Sequence, residues 1–366
     1  MCTMTPISYF PMVSIALLQD GTVARFLFLV FLALAGCQSD RPSIPEALRE
    51  TEIITIDIDA LPIRELLPAA RIGEASGGSD SWLATPSAMT IAHDSIWIAD
   101  RKTGSVLAMA RVDSTLVHHF GTSGQGPEEL DWPTGLFATS DRFFVHEPNA
   151  RVKIFDRSWR SVETLNIQYV PSAAFSFRDD AWFLPAPTGG SGGLMKCAAS
   201  IQTTDCTEFL PALFGAGSPM STHNLTWVAS AMGRNDVAAG WLTLPFMVMF
   251  DHAGTARRTL VFTGEHERTL QHPWNTSGDI RQSGPFPGFY RTVKMMPDGS
   301  IWAVVGLDIV RVAFVDGNVQ AQRFRIADHE GTFFSPNDIA VHTDGSLYAL
   351  STRRPWLYRY DNVAVD

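Results

Sequence analysis

The hydrophobic pattern of this chain is one of short, regularly spaced β-strands. A turn containing Asp, Asn or Gly leads into a short run of β-branched and aromatic residues, and this unit recurs along most of the sequence. Five of the six copies have an aromatic residue at the fourth position, whereas the fourth copy has Ala238 there. Such a recurrence predicts a repeat fold. The copies lie at residues 94–98, 141–145, 179–183, 235–239, 299–303 and 345–349.

Further strand-like segments flank the copies in a fixed order. One precedes each copy, as at residues 88–92, and two follow, as at residues 151–156 and 258–262. Four short strands per unit, separated by turn residues, are typical of a propeller blade. The sequence therefore predicts an all-β, six-bladed β-propeller of four-stranded blades over residues 51–366. The alternative is a β-sandwich with irregular spacing, which six copies of one pattern disfavour.

The last unit ends before its fourth strand. Residues 53–58 alternate like a strand and lie ahead of the first blade. An unpaired sheet edge is a liability in a folded protein. We therefore expect this N-terminal strand to pair beside residues 357–360 and to close the ring.

The N-terminus carries an export pattern. Arg25 precedes an apolar run that is too short to span a bilayer and that ends in Leu34-Ala35-Gly36-Cys37. This order resembles the bacterial lipobox, in which the cysteine becomes the lipidated first residue of the mature protein. The prediction is a signal peptide over residues 1–36 and a lipid tether over residues 37–50. In one alternative, translation starts downstream of Met1. A buried N-terminal helix is the other alternative.

Charge bears on the class of partner. The chain has 28 Lys and Arg against 38 Asp and Glu, a formal net charge of −10. Nucleic-acid binding and electrostatic adhesion to a membrane both need clustered basic residues, so both are disfavoured. The expected contact with a membrane is the lipid anchor alone, and the expected location is the bacterial cell envelope, facing the periplasm or the exterior.

The cysteines agree with export. Cys2 lies in the segment expected to be removed and Cys37 is expected to take the lipid, which leaves Cys197 and Cys206. Their separation is too long for a Cys-x-x-Cys redox or zinc motif, and no histidine lies between them. We expect a structural disulfide between the two, as is usual in an oxidising compartment.

Two motifs carry a family resemblance. Residues 120–130, Phe-Gly-Thr-Ser-Gly-Gln-Gly-Pro-Glu-Glu-Leu, resemble a loop of bacterial six-bladed β-propeller lipoproteins related to NHL-repeat proteins. Residues 335–341, followed by residues 344–348, look like an NHL-type blade opening. The resemblance covers roughly residues 50–362 and implies the fold, whereas propellers host unrelated activities.

Loops on one face of such a ring are the expected binding surface. Exposed loop residues on a rigid scaffold often carry function, and arginine forks match carboxylates and phosphates. The alternative for each residue is an ordinary solvated loop position. The principal candidates are Arg101, His146, Glu147, Arg291, Asn337, Asp338 and Arg354, and residues with the same expected placement are Lys102, Trp132, Asn149, Tyr290 and Arg353.

A metal-dependent enzyme is the second hypothesis. Asn337-Asp338 resembles a pair in gluconolactonase and senescence-marker propellers, which hold a divalent metal over the channel. The corresponding openings of the other blades offer no carboxylate, so a turn cap is the preferred interpretation of this pair. We expect a protein or small molecule to bind the loop face without catalysis, metal or other cofactor. The alternative is a metal-dependent lactonase-like or lyase-like enzyme.

Overall fold

The computed structural model divides the chain into two units, residues 1–50 and Thr51–Asp366. No helix among the described residues is long and apolar enough to cross a bilayer. The expected signal peptide and Cys37 lie outside the described residues. These are 48–72, 82–148, 151–166, 176–178, 181–185, 194–198, 206–210, 226–231, 234, 236–242, 244–251, 253–266, 289–351 and 354–363.

The second unit is built from short strands that form six sheets within the described residues. Three strands come first: β1 (Glu52–Asp57), β2 (Ile63–Leu66) and β3 (Ala70–Ile72), with a 3-10 turn at Ile58–Ala60. The first sheet contains β4 (Pro86–Ala92), β5 (Ser95–Asp100), β6 (Ser105–Ala110) and β7 (Leu116–Phe120). The second contains β8 (Gly135–Ala138), β9 (Arg142–Glu147), β10 (Arg151–Asp156) and β11 (Ser161–Asn166). The third contains β12 (Ser176–Arg178), β13 (Ala181–Pro185), β14 (Leu194–Ala198) and β15 (Cys206–Leu210).

The remaining strands continue the same arrangement. The fourth sheet contains β16 (Thr226–Ser230), β17 (Val237–Trp241), β18 (Phe246–Phe250) and β19 (Ala256–Thr263). The fifth contains β20 (Tyr290–Met295), β21 (Ile301–Val305), β22 (Asp308–Val315) and β23 (Asn318–Ile326). The sixth contains β24 (Pro336–Val341), β25 (Leu347–Ser351) and β26 (Leu357–Tyr360).

The repeated sequence unit is the second strand of each sheet. These strands are deeply buried, because a neighbouring sheet covers each of their faces: β17, β21 and β25 are buried at every residue. The repeated aromatic residue belongs to this core, and Trp97, Phe144, Trp302 and Tyr348 are all buried. The outermost strand β7, by contrast, has no buried residue.

The sheets follow one another around a central channel. Among the innermost strands, β4 contacts β8 and β24, β16 contacts β12 and β20, and β20 contacts β24. The chain between β11 and β12 lies outside the described residues. This arrangement is a β-propeller with four-stranded blades.

The expected pairing of the N-terminal segment is wrong. β1, which contains most of residues 53–58, pairs in parallel with β19 of the fourth sheet rather than beside residues 357–360. β2 adds in parallel to β23 of the fifth sheet, and β3 pairs antiparallel with β26. The last sheet therefore does take its fourth strand from the N-terminal region, but from Ala70–Ile72. Alternation predicted a strand without indicating which outer edge it would join.

Cys197 and Cys206 face each other in the backbone register of β14 and β15. Their side chains lie outside the description, so the disulfide stays a prediction. Direct opposition on neighbouring antiparallel strands brings the two backbones within the range that a disulfide requires.

Candidate functional site

The innermost strands surround a channel of about 800 Å³. Its lining includes residues from β4, β8, β16, β20 and β24. These strands begin at the same face, as contacts between their first residues show: Asn337 Nδ2 donates to the carbonyl oxygen of Ser87 at 3.2 Å, and the rings of Trp227 and Tyr290 lie 5.3 Å apart. We call this end of the channel the channel mouth. It is lined by Ser87, Arg101, Thr134, His146, Arg291 and Asn337.

Arg101 is the most unusual residue of the channel mouth. It follows β5 directly, and its backbone amide donates to the carbonyl oxygen of Thr85 at 2.9 Å. The Nε atom of its guanidinium is buried and has no hydrogen-bond partner. No described carboxylate pairs with this side chain, and burial lowers the pKa of Arg101. The residue remains a cation at pH 7, so the mouth holds a partly desolvated positive charge that no described residue neutralises.

Arg291 adds a second cation to the same lining. It lies on β20, its side chain is exposed, and no ion pair joins it to any described residue. The other Lys, Arg, Asp and Glu residues of the described lining are paired: Lys294 with Asp338, and Asp94 with Arg111. The channel mouth is thus locally positive in a chain whose formal net charge is −10.

Asp338 is a buried link between blades. Its Oδ2 accepts the backbone amide of Met89 at 2.8 Å and lies 3.0 Å from Lys294 Nζ, while its Oδ1 accepts the Thr292 hydroxyl at 2.8 Å. These partners come from the first and fifth sheets, whereas Asp338 belongs to the sixth. Asp338 therefore links neighbouring blades. The sequence had favoured a turn cap for this residue instead. Neighbouring Asn337 likewise donates across the junction to the carbonyl oxygen of Ser87.

His146 lines the channel mouth as a neutral ring. Its Nδ1 lies 2.9 Å from the Thr134 hydroxyl oxygen. Burial lowers the pKa of His146 to about 4, so the imidazole carries no charge at pH 7. The neutral ring therefore does not add to the positive charge of the mouth.

Glu147 does not belong to the exposed face. Its side chain is fully buried, its Oε1 accepts the backbone amide of Asp131 at 2.6 Å, and its Oε2 lies 2.8 Å from Arg151 Nη2. Lys153, also buried, lies 3.9 Å away. Burial raises the pKa of the Glu147 carboxyl. This carboxylate therefore supports a loop and is not presented to a ligand.

The loop that ends next to Asp131 is the motif at residues 120–130, and Lys153 supports it. Lys153 Nζ donates to the carbonyl oxygens of Gly126 and Glu129, at 2.6 Å for Gly126. Glu129 Oε2 in turn accepts the backbone amide of Gly126 at 2.8 Å. The motif is thus a structural element, held from beneath by a buried lysine.

The other predicted residues are scattered. Arg354 is half-exposed, pairs with Glu330 at 3.0 Å and does not line the channel. Tyr290 lines it but is buried, and Lys102 is exposed beside Arg101 without lining it. Asn149 and Arg353 lie outside the described residues. Lys294 and Thr292 were not predicted, because they lie beyond the start of their innermost strand. The alternation of residues along β20 would have indicated them.

The described residues contain no group of three or more His, Cys, Asp or Glu side chains with the geometry of a metal site. The carboxylate of Asp338 already accepts three hydrogen bonds from neighbouring blades and the amide of Ile339. A metal at Asp338 would have to displace Lys294 or Thr292.

No protein-family model matches this chain, and no curated protein matches it either. Its fold is similar to that of a candidate exported protein from Bacteroides fragilis, with a TM-score of 0.52, 10% identity, and coverage of 81% of this chain and 88% of that chain. Regucalcin from Agrobacterium tumefaciens, described as a calcium-binding protein, has a TM-score of 0.48 at 10% identity over 81% of this chain and 94% of its own. A β-propeller domain from Myceliophteria thermophila has a TM-score of 0.46 at 9% identity over 80% and 98%. At such identities the similarity extends to the fold alone.

Proposed function

We propose that this protein is a lipid-anchored protein of the bacterial cell envelope, whose propeller binds a small anionic molecule at the channel mouth without catalysis. The observation that carries the proposal is Arg101, a partly buried guanidinium with no described carboxylate partner. A desolvated cation is unfavourable by itself and gains most from an anion with matching geometry. Carboxylates and phosphates have that geometry.

The size of the channel favours a small molecule over a protein partner. Its volume of about 800 Å³ lies within the usual range for small-molecule pockets, roughly 300–1,000 Å³. Low-dielectric walls also strengthen the attraction between a bound anion and the two arginines, Arg101 and Arg291.

Isothermal titration with inorganic phosphate and with acetate tests the proposal. We expect one or both to bind the wild-type protein, and Arg101→Gln to weaken binding roughly tenfold or more, as for the loss of a charged hydrogen bond. The matched control is Lys102→Gln, which removes the same charge from an exposed neighbour and is expected to leave the affinity unchanged. Equal losses in the two variants, or no binding by the wild type, would contradict the proposal.

Thermal melting with added metal distinguishes the enzymatic alternative from the proposed function. A metal-dependent lactonase-like or lyase-like enzyme requires Asp338 to leave Lys294 and bind a cation. Calcium or zinc would then raise the melting temperature of the wild type but not of Asp338→Asn. We expect no such metal-dependent shift and no lactone hydrolysis.

The envelope location and the blade count are parts of the proposal. The lipobox-like order ending at Cys37 supports lipidation, and the six described sheets in ring order support six blades related to NHL-type propeller lipoproteins. Cys37→Ser is expected to move the protein from the membrane fraction to the soluble fraction and to remove a lipid mass shift. Membrane recovery of the variant with that mass shift would contradict the anchor.

A further inference from the structure

Trp132 is an exposed aromatic residue in a left-handed backbone conformation. Its side chain is 54% exposed, and it is the only aromatic among the large exposed hydrophobic residues of the described chain. Its φ is 58°, a region that bulky L-residues rarely adopt. Two unfavourable features at one residue, exposure and backbone strain, are typical of functional positions.

The residue before Trp132 is fixed from beneath. The backbone amide of Asp131 donates to the buried carboxylate of Glu147 at 2.6 Å. Arg151 lies within ion-pair distance of the side-chain carboxylates of Asp131 and Glu147. Leu130, the residue before Asp131, is completely buried. The chain therefore reaches Trp132 in a defined conformation.

The residues after Trp132 are fixed as well. The carbonyl oxygen of Pro133 accepts the buried Ser87 hydroxyl at 2.7 Å, and the backbone amide of Thr134 donates to the carbonyl oxygen of His146 at 2.8 Å. With both flanks fixed, the backbone of Trp132 is held in one position and carries an exposed indole. A fixed backbone lowers the cost of ordering this residue against a ligand.

The position of Trp132 ties it to the anion site. Thr134 and Ser87, which hold the end of this segment, both line the channel mouth. Arg101 is attached to the same junction of the first and second sheets, because its amide donates to Thr85 just before β4. Trp132 itself is not among the described lining residues, but it stands two positions before the lining residue Thr134, on the side of the ring that carries Arg101.

We propose that Trp132 stacks on the ligand, and that the anion bound at the channel mouth therefore carries a ring. This inference rests on the proposed function, since Arg101 holds the anionic group while the indole covers the ring. Both aromatic rings and sugar rings have faces that pack against an indole, and stacking on an aromatic residue contributes usefully to affinity.

This inference is tested with pairs of probes, of which one member carries a ring and the other does not. Inorganic phosphate is compared with phenyl phosphate and with glucose 6-phosphate, and acetate is compared with benzoate, by titration of the wild-type protein. We expect at least one ring-bearing probe to bind roughly tenfold more tightly than its ringless partner. A preference for phenyl phosphate and benzoate indicates an aromatic ring, and a preference for glucose 6-phosphate indicates a sugar.

Substitutions at Trp132 and Arg101 show which residue provides the extra affinity for a ring. Trp132→Ala should abolish the ring advantage without changing the affinity for the ringless anion, and Trp132→Phe should keep part of the advantage. Arg101→Gln should weaken both members of each pair. Leu67→Ala, at another exposed apolar residue, is the control and should change neither.

The two proposals fail in different ways. If the ringless anions bind and no ring adds affinity, or if Trp132→Ala weakens ringless and ring-bearing probes equally, the stacking role is wrong while the anion site stands. If no probe binds the wild type, both proposals are overturned. If the ring advantage survives Trp132→Ala, the ring lies elsewhere in the channel and the stacking role is again wrong.

Discussion

The carboxylate of Asp338 lies 3.0 Å from the ammonium of Lys294, across the junction between the fifth and sixth sheets. Lys294 also donates to the carbonyl oxygen of Met89 in the first sheet, at 3.3 Å. One ion pair thus connects three blades where they approach the channel. Because Lys294 reaches past the sixth sheet to the first, this network resists the separation of all three blades.

We predict that Asp338→Ala lowers the free energy of unfolding by about 2–3 kcal/mol. The variant leaves the Lys294 ammonium, the Thr292 hydroxyl and the Met89 amide without their acceptor in a largely buried setting. Urea denaturation measures the change. Asp141→Ala, at an exposed ion pair with Arg142, is the control and should cost less than about 1 kcal/mol. Comparable losses for the two variants would show that the Asp338 network is not a structural clamp.

The pairing of the N-terminal strands gives a second prediction. Ile72 on β3 is buried against the last sheet, whereas Ile53 on β1 is 42% exposed. Ile72→Ala should lower the free energy of unfolding by about 3 kcal/mol, and Ile53→Ala by less than about 1 kcal/mol. The same denaturation series compares them. A larger effect at Ile53 would support the closure that the sequence predicted, and would contradict the one described here.

Acid should weaken the fold through His146. Burial lowers the pKa of this ring to about 4 from its ordinary 6.5, so between these values the unfolded chain binds a proton that the folded chain does not. Stability therefore falls as the pH drops through this window, by about 2 kcal/mol at pH 5 relative to pH 7.5.

Unfolding experiments on His146→Asn at the two pH values isolate this contribution. The variant should lose less stability on acidification than the wild type, and its remaining dependence includes His266, whose pKa is also lowered by burial. An identical pH dependence in the two proteins would mean that His146 is protonated in the fold without penalty.

The strained backbone at Trp132 predicts an unusual order of stabilities. Trp132→Gly should be more stable than Trp132→Ala by about 1 kcal/mol, because both lack the indole and only glycine adopts a φ of 58° without strain. The ordinary order, in which alanine is the more stable, would be evidence against strain at this position. Thermal denaturation of the two variants gives the comparison.

The blade pattern was predictable because it reflects a deeply buried strand in each sheet. Residues such as Trp97 and Trp302 are packed between neighbouring sheets, so their spacing repeats wherever a blade repeats. The joining of the first and last strands was not predictable in detail. β1 has a single buried residue, Ile56, and nothing in such a pattern distinguishes the edge of β19 from that of β26.

The candidate site was predicted in part for a related reason. Arg101, His146, Arg291 and Asn337 follow from their position beside the start of an innermost strand or the end of a second strand, which the fold places at the channel mouth. Glu147 is adjacent in sequence to His146, yet it faces the opposite side of β9 and is buried. Its role depends on Lys153 and Arg151 in the neighbouring strand, and only the assembled sheet brings these together.

A crystal structure of the wild-type protein with phenyl phosphate tests the central claim most directly. The account predicts that the phosphate group lies within hydrogen-bond distance of the Arg101 guanidinium at the channel mouth, with the phenyl ring against the indole of Trp132. Phosphate bound at another arginine, such as Arg354, with the mouth empty in the same crystal, would contradict it.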